Sequence, residues 1–195
     1  NHSIEEAGKY ARDRGSLLVY SAGNHGRNRG NYPDHKNVLI VGGTQKADRR
    51  WNCNRWYKKC GSNYGHFIDI VAPAKKIHTT RANITLGGDI YSSPNGTSFS
   101  APIVSAVAAL VYSINPDFTA KEVETILLAS AKKIGDKYYY GKGIVNAKEA
   151  VKLAISKMWR SLIILWAKLS EVPISNTSSD TVIFSLPEST KSTWA

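Results

Sequence analysis

Three short apolar segments constrain the fold of this chain more than any other feature of its sequence. They span residues 17–20, 38–41 and 67–71, and each is almost continuously apolar. Such runs are typical of strands that are buried on both faces of a parallel sheet. Because helical patterns precede and follow these runs, the sequence predicts an α/β domain with a mostly parallel sheet that is covered by helices on both faces.

Capping residues predict helices in the rest of the chain, and glycine pairs predict turns. The four expected helices begin near Ser3, Ser98, Thr119 and Asn146. The pair Gly42-Gly43 is expected to end the second strand. Two short hairpins are expected in residues 77–91 and 138–145, since each segment contains two glycines.

The composition is that of a globular protein with one domain. A chain of 195 residues that is 42% hydrophobic and 21% charged can bury a core. No run of 18 or more apolar residues occurs, so no membrane-spanning helix is predicted. The start at Asn1 lacks both an initiator methionine and a signal-peptide pattern, which predicts a fragment or a processed form.

Positive charge is concentrated in residues 46–60. The formal net charge of the chain is +11, and this segment holds six Lys or Arg residues against Asp48 alone. Trp51, Trp56 and Tyr57 lie among them, an arrangement that suits stacking on nucleic-acid bases. Charge runs are more often solvated loops, so we favour a surface loop here and expect no nucleic-acid partner.

Cys53 and Cys60 lie in the same basic segment and are the two cysteines of the chain. Two interpretations stay open at this point: a small disulfide, which would suit an oxidising compartment, or two free thiols. A zinc site is not predicted, because no further Cys and no nearby His stand at ligand spacing.

Residues 95–102, with the sequence Asn-Gly-Thr-Ser-Phe-Ser-Ala-Pro, place Ser98 on the first turn of a long apolar helix. Free backbone N–H groups and the positive end of the helix dipole favour negative charge at this point. That environment suits a nucleophile whose attack creates an oxyanion. Taken alone, these residues favour an ordinary helix cap, since Ser is common at that position.

Asn24 follows the first predicted strand, in the stretch Ser21-Ala22-Gly23-Asn24. Ligands of α/β sheets bind at the carboxyl ends of the strands. There the Asn24 amide supplies N–H donors for an oxyanion, and Gly23 permits a close approach of the backbone. An Asn after a Gly is usually a turn residue, but its combination with Ser98 indicates a site.

Together the two stretches resemble the oxyanion-asparagine and nucleophile-serine signatures of the subtilases, the subtilisin-like serine proteases. The resemblance uses residues 21–24 and residues 96–102, and the flanking segments occur in the same order as in the family. These flanking segments are Tyr32-Pro33, residues 38–42, residues 69–73 and residues 139–147. The similarity runs from about residue 3 to residue 157 and implies a three-layer subtilisin-like fold.

The resemblance also implies a role for each matching residue. Ser98 would attack the scissile carbonyl of a polypeptide, and Asn24 with the backbone N–H of Ser98 would bind the oxyanion. Gly96 and Thr97 would shape the turn, and residues 21–23 would form a wall of the substrate pocket. The family implies an extracellular enzyme. Calcium is common in it, but no carboxylate cluster in this sequence marks a site, and no cofactor is expected.

The chain departs from the family at the other two members of the catalytic triad. A serine protease needs a histidine base and an aspartate that orients it. Neither the Asp-Thr-Gly nor the His-Gly-Thr-His pattern of the subtilases occurs, and the use of His25 as the base would require a different geometry. We therefore expect residues 1–157 to be the C-terminal half of a subtilase domain, inactive alone, and residues 158–195 to be a linker or tail.

Three functional interpretations remain. The first is part of a secreted endopeptidase whose Asp and His lie upstream. The second is a non-catalytic, subtilase-like binding module, and the third is a basic nucleic-acid binder that uses residues 46–59. The intact Ser98 and Asn24 favour the first. A half-sheet with open edges is also expected to be unstable or prone to aggregation.

Overall fold

A mostly parallel sheet carries helices on both faces in the computed structural model, which describes residues 2–53, 60–80 and 90–170. The strands are β1 (Leu18–Ser21), β2 (Val38–Gln45), β3 (Arg49–Arg50), β4 (Ile70–Pro73), β5 (Thr79–Thr80) and β6 (Tyr91–Ser92). The helices are α1 (His2–Arg12), α2 (Thr97–Ile114), α3 (Ala120–Ser130), α4 (Lys137–Tyr140) and α5 (Ala147–Ser170).

β2 is the central strand of the main sheet. Its Val41 pairs with Ser21 of β1 and with Ile70 of β4, and both pairings are parallel. β1 and β4 therefore lie on opposite sides of β2, and the short β3 runs antiparallel to the end of β2. The predicted α/β class with a mostly parallel sheet is confirmed.

Two apolar clusters pack on the two faces of this sheet. Leu39 and Val41 of β2 belong to the cluster that includes α2, α3 and α5. Val38 and Ile40 belong to the other cluster, against which Ile4 of α1 packs. The alternation follows from the two-residue period of a strand, and it explains why β2 reads as a continuous apolar run. The helices and the sheet thus form three layers.

The pair Gly42-Gly43 lies inside β2, so the prediction that it ends the strand is wrong. A Cβ atom on Gly43 would lie 2.5 Å from the Cβ of Ala74 and 3.2 Å from Cγ2 of Thr97. Glycine serves here for close packing and not for a turn. The missing side chain allows the first turn of α2 to lie directly against the central strand.

β1 is less buried than the sequence predicts. It pairs with β2 alone among the described residues, and its Tyr20 is 43% exposed. Leu110 of α2 is 48% exposed. An open groove of about 570 Å³ runs between the two elements, lined in part by Val19 and Tyr112. The free edge of β1 and the adjacent face of α2 therefore remain uncovered by described residues.

The helices that begin with strong local signals are confirmed. Thr119 caps α3: its hydroxyl accepts a hydrogen bond from the Glu122 N–H, and the Glu122 carboxylate accepts one from the Thr119 N–H. α2 ends at Ile114, directly before the Asn-Pro pair. The Asn146 side chain accepts a hydrogen bond from the Glu149 N–H at the start of α5. In contrast, α1 already begins at His2, so Ser3 is not its cap.

The hairpin predicted for residues 138–145 is wrong. The Asp136 side chain accepts a hydrogen bond from the Tyr138 N–H and starts the single helical turn of α4. Gly141, with φ of +56°, ends that turn, and Ile144 then pairs with Val71 of β4. The other predicted hairpin corresponds to the antiparallel pair β5 and β6, while its Gly87-Gly88 turn lies outside the described residues.

α2 has the length and the mean hydropathy, 1.6, of a membrane-spanning helix. Its Val104, Val107 and Val111 are buried in the cluster that packs on the sheet. An apolar core helix passes the same length and composition test, and this packing accounts for the composition of α2.

α5 runs without a break from Ala147 to Ser170, across the boundary suggested at residue 157. Residues 171–195 lie outside the described part of the chain. The division into residues 1–157 and 158–195 therefore stays a prediction.

Cys53 and Cys60 form a disulfide with Cα atoms 5.4 Å apart, which decides between the two interpretations left open by the sequence. The Cys53 N–H also donates a hydrogen bond to the Cys60 carbonyl. Residues 54–59 lie outside the described residues. The linked ends hold the base of this segment closed next to Gly61, which pairs with Asn52 and His25.

Asp69 connects β2 to the start of β4. Its carboxylate accepts a hydrogen bond from the Ile40 N–H at 2.7 Å, and its own N–H donates to the Ile40 carbonyl at 3.1 Å. Burial raises the pKa of Asp69 from 3.8 to about 7, although the hydrogen bond from Ile40 acts in the opposite direction. Nearby Glu124 and Asp34 raise the pKa further.

We expect the Asp69→Asn variant to remove a pH dependence of stability. The folded protein holds a proton on Asp69 up to about pH 7, whereas the unfolded chain loses it near 3.8. This group therefore contributes full stability below its unfolded pKa, and the contribution is lost as the pH rises to about 7. Unfolding in urea between pH 4 and pH 8 measures the effect.

The difference in unfolding free energy between Asp69→Asn and the natural chain should grow in favour of the variant as the pH rises through that range. Asp13→Asn, which alters an exposed carboxylate paired with Lys9, is the control and should leave the pH dependence unchanged. Parallel pH profiles for the natural chain and Asp69→Asn would contradict the assignment.

We expect loss of the disulfide to destabilise the chain. The bridge spans a sequence separation of 7. Closing a loop of this size is worth about 2.5 kcal/mol in the chain-entropy treatment, and the double variant Cys53→Ser/Cys60→Ser should lose roughly that amount in urea unfolding. Alkylation without reductant should label neither cysteine, and labelling of both in the folded protein would refute the pairing.

Candidate active site

Asn24 and Ser98 come from two elements that meet at the carboxyl edge of the sheet. Asn24 follows β1, and Ser98 is the second residue of α2. This edge is where α/β sheets bind their ligands, because loops and helix N-termini converge there. Both residues are exposed, so the meeting point is open to solvent.

Thr97 fixes the orientation of the Asn24 side chain. The Asn24 Oδ1 atom accepts hydrogen bonds from the Thr97 N–H at 2.8 Å and from the Thr97 hydroxyl at 2.7 Å. The same hydroxyl accepts a hydrogen bond from the Gly23 N–H at 3.1 Å. Because the amide oxygen is used twice, the amide Nδ2 is directed to the other side, where it is free to donate to a ligand.

The space beside Gly96 lies between the Ser98 hydroxyl and the Asn24 amide nitrogen. A Cβ atom on Gly96 would lie 2.9 Å from Ser98 Oγ and 3.5 Å from Asn24 Nδ2. The two groups therefore border one small volume, which the absence of a side chain at Gly96 leaves open. An oxygen atom placed there can approach an N–H donor and the serine hydroxyl together.

Contacts with the end of β4 hold the first turn of α2 in place. The buried Ser100 hydroxyl points to the carbonyls of Ala72 and Pro73, at 3.1 and 2.9 Å. The Gly96 N–H donates to the Ala74 carbonyl at 2.7 Å. The position of Ser98 is thus set by the sheet and not by the helix alone.

Ser98 is not the helix cap that its own neighbourhood suggested. The N-cap position is Gly96, where no side chain makes a capping hydrogen bond, and the helix begins at Thr97. First-turn N–H groups have no partner inside a helix, so they favour an anion at this point. Ser98 therefore lies where developing negative charge is stabilised.

The described histidine side chains lie in environments other than that of Ser98. His35 is buried beside a glutamate, whereas the rings of His66 and His78 pack against tyrosines. His25 is exposed directly after Asn24. Within residues 2–53, 60–80 and 90–170, no hydrogen bond joins Ser98 to a histidine.

Two central residues of the basic segment, Arg50 and Trp51, are engaged with the protein itself. Trp51 is buried, and Arg50 donates to the Ser62 carbonyl and lies over the ring of Tyr64. Lys46 and Arg49 are exposed, whereas Arg55, Trp56, Tyr57, Lys58 and Lys59 lie outside the described residues. Trp51 cannot stack on a base in this position, so the described residues do not favour a nucleic-acid surface.

No group of three or more His, Cys, Asp or Glu side chains in the described ranges is arranged to hold a metal ion.

The sequence interpretation missed two buried polar residues that support the site. One is Ser100, and the other is Asn63, which contacts the loop around Asn24. Ser100 lies two residues after Ser98, and a small polar residue in a helix gives little indication in the sequence that it supports a site. Asn63 lies 39 residues from Asn24, and no local pattern marks it.

Comparison with known proteins assigns the chain to a family. The family model described as the subtilase family matches residues 1–143. Subtilisin BL from Lederbergia lenta is 34% identical over 151 residues, which cover 77% of this chain and 51% of that protein. Thermitase from Thermoactinomyces vulgaris is 34% identical over 154 residues, which cover 78% of this chain and 50% of thermitase.

This chain is similar to the solved structure of a lanthipeptide protease, with a TM-score of 0.65 and 28% sequence identity. The match covers 78% of this chain and 55% of the protease chain. The chain spans about half the length of these relatives, and it covers 36% of M-protease from Shouchella clausii. The family model, these sequence relatives and the common fold agree on the same family. The chain belongs to the subtilase family.

Proposed function

We propose that this chain is the nucleophile-bearing half of a serine endopeptidase of the subtilisin type, which cleaves polypeptides through an acyl-enzyme on Ser98. The observation that carries the proposal is the fixed orientation of Asn24. Thr97 binds its amide oxygen, and its amide nitrogen borders the same space as the Ser98 hydroxyl. This is the arrangement that acyl transfer needs, because charge develops beside the nucleophile.

In this mechanism Ser98 Oγ attacks the carbonyl carbon of the scissile peptide bond. The carbonyl oxygen becomes an oxyanion in the space beside Gly96. Asn24 Nδ2 and the backbone N–H of Ser98 donate to it, and the dipole of α2 adds to the stabilisation. A base takes the proton of the Ser98 hydroxyl and passes it to the leaving amine as the peptide C–N bond breaks, and water then hydrolyses the acyl-enzyme. Residues 21–23 form one wall of the substrate pocket.

The base and its orienting carboxylate come from a second half of the domain. Two observations support this step: the chain spans about half of its relatives, and the free edge of β1 lies beside an uncovered face of α2. The groove between β1 and α2 is open, and Val19 of β1 and Tyr112 of α2 line it. A further set of strands and helices would cover them.

Without that half, Ser98 is a weak nucleophile. An unassisted serine hydroxyl keeps its proton near neutral pH, and only the oxyanion hole and substrate binding remain. The chain alone is therefore expected to be inactive as a protease. The disulfide between Cys53 and Cys60 supports an oxidising, extracellular location.

A non-catalytic binding module is the second candidate. The observation that favours it is the absence of any histidine contact to Ser98 in the described part of the chain. Such a protein would keep the pocket wall and bind a peptide without cleaving it. The assays below separate the two candidates.

We expect Ser98→Ala and Asn24→Ala to lower proteolysis in the natural protein with its flanking sequence. Ser98→Ala removes the nucleophile and should leave no acyl-enzyme turnover. Asn24→Ala should lower kcat by about 10²–10³-fold with little change in KM. This is the loss measured for the oxyanion-hole asparagine of a subtilisin. Hydrolysis of casein and of chromogenic peptides provides the rates.

Asn37→Ala is the matched control, because it removes an asparagine amide that binds Glu5 far from the edge where Asn24 lies. It should leave kcat unchanged. Natural protein that binds these peptides without cleaving them would support the binding module, and cleavage that survives Ser98→Ala would contradict the endopeptidase.

We expect Thr97→Val to lower kcat by about tenfold, because one of the two hydrogen bonds that orient Asn24 is lost. Thr97→Ser keeps the hydroxyl and should stay within about twofold of the natural kcat, since the bond to Asn24 remains. Steady-state kinetics at constant pH measures both. Equal kcat values for the Val variant and the natural protein would show that the Asn24 amide does not depend on this hydroxyl.

A further inference from the structure

We propose that Asn63 is a positioning residue for the oxyanion donor Asn24, an inference that rests on the proposed function. Asn63 contacts neither Asn24 Nδ2 nor Ser98 in the described hydrogen bonds. It acts through the backbone of residues 22–27, the loop that carries Asn24, which we call the oxyanion loop. The evidence is a set of three side-chain hydrogen bonds to backbone groups on both sides of Asn24.

The amide group of Asn63 bridges the two halves of the oxyanion loop. Its Nδ2 donates to the Ala22 carbonyl at 2.9 Å, two residues before Asn24. Its Oδ1 accepts from the His25 N–H at 3.2 Å and from the Arg27 N–H at 3.1 Å, after Asn24. One planar side chain thereby ties the chain entering Asn24 to the chain leaving it.

Backbone hydrogen bonds surround these contacts and leave a gap that the side chain fills. The Asn63 N–H donates to the Gly23 carbonyl at 2.9 Å, and the Gly61 N–H donates to the Asn24 carbonyl at 3.1 Å. Among the described residues, the N–H groups of His25 and Arg27 have Asn63 Oδ1 as their acceptor. The backbone ladder alone would leave both donors unpaired.

The surroundings of Asn63 make this role costly to replace. The residue is 2% exposed, so water does not readily take over its hydrogen bonds. A Cβ atom on Gly23 would lie 2.6 Å from Asn63 Nδ2, and Gly23 has φ of +92°. A glycine at this position thus makes room for the asparagine amide as well as for the backbone conformation.

The consequence for the reaction follows from the geometry of an oxyanion hole. Thr97 sets the rotation of the Asn24 side chain, whereas Asn63 sets the path of the backbone from which that side chain extends. An oxyanion donor works only within about 2.7–3.1 Å of the developing charge, so a small backbone shift is enough to weaken it. Misplacement by about 1 Å can cost up to 10²-fold in rate.

The test compares Asn63→Ala, Asn63→Asp and the control Asn37→Ala in the natural protein with its flanking sequence. The first readout is amide hydrogen exchange resolved by residue. The exchange of the β2 amides reports global stability, so the His25 and Arg27 amides are compared with them. The second readout is the kcat and KM of peptide hydrolysis.

We expect Asn63→Ala to speed exchange at His25 and Arg27 by about tenfold or more relative to β2, since both amides lose their acceptor. The value of kcat should fall by at least about tenfold, with KM within about threefold. Asn63→Asp loses the donor to the Ala22 carbonyl but keeps an acceptor oxygen for the His25 and Arg27 N–H groups, so it should restore protection at these two amides. Asn37→Ala should leave kcat and KM unchanged, and it should change exchange at His25 and Arg27 no more than it changes exchange of the β2 amides.

The proposal would be overturned if, in Asn63→Ala, the His25 and Arg27 amides exchanged no faster relative to the β2 amides than in the natural protein. A kcat for Asn63→Ala that is no lower than that of Asn37→Ala would also overturn it. If the natural protein does not cleave peptides at all, the proposed protease function fails. The exchange measurement still decides in that case whether Asn63 holds the oxyanion loop.

Discussion

The hydrogen bonds that Asn24 Oδ1 accepts from Thr97 join two parts of the chain that are 73 residues apart. They tie the end of β1 to the first turn of α2, and they decide which end of the Asn24 amide remains available. With the oxygen bound, the nitrogen borders the space beside the Ser98 hydroxyl. A rotated amide would present its oxygen there and repel an oxyanion, so the proposed chemistry depends on this one contact.

Buried small and polar residues keep both ends of that contact in position. Gly43 lets α2 approach the central strand, and the Ser100 hydroxyl binds the end of β4. Asn63 holds the loop that carries Asn24. Such preorganisation allows an oxyanion site to act without reorganising during the reaction. It would allow this chain to carry the proposed nucleophile and oxyanion donor in position before a base from the proposed second half joins them.

Features with a local physical cause could be predicted from the sequence. The capping box at Thr119, the first two apolar strands and the Ser98 helix are set by neighbouring residues, and the structure has them, whereas the third strand begins only at Ile70 and includes Pro73. Features that depend on distant contacts could not. The glycines of β2 looked like a turn because their packing against Ala74 is invisible locally, and Asn63 gave no signal because its partners lie 36 to 41 residues away.

The central claim is that Ser98 and Asn24 act on one tetrahedral centre. The most direct measurement is a crystal structure of the natural protein with a peptidyl boronic acid, which forms a tetrahedral adduct with a serine nucleophile. The account predicts a bond from boron to Ser98 Oγ and a boronate oxygen about 2.7–3.1 Å from Asn24 Nδ2 and the Ser98 N–H. An adduct whose oxygens all avoid Asn24, or an Asn24 amide with its oxygen turned toward the boronate, would contradict it.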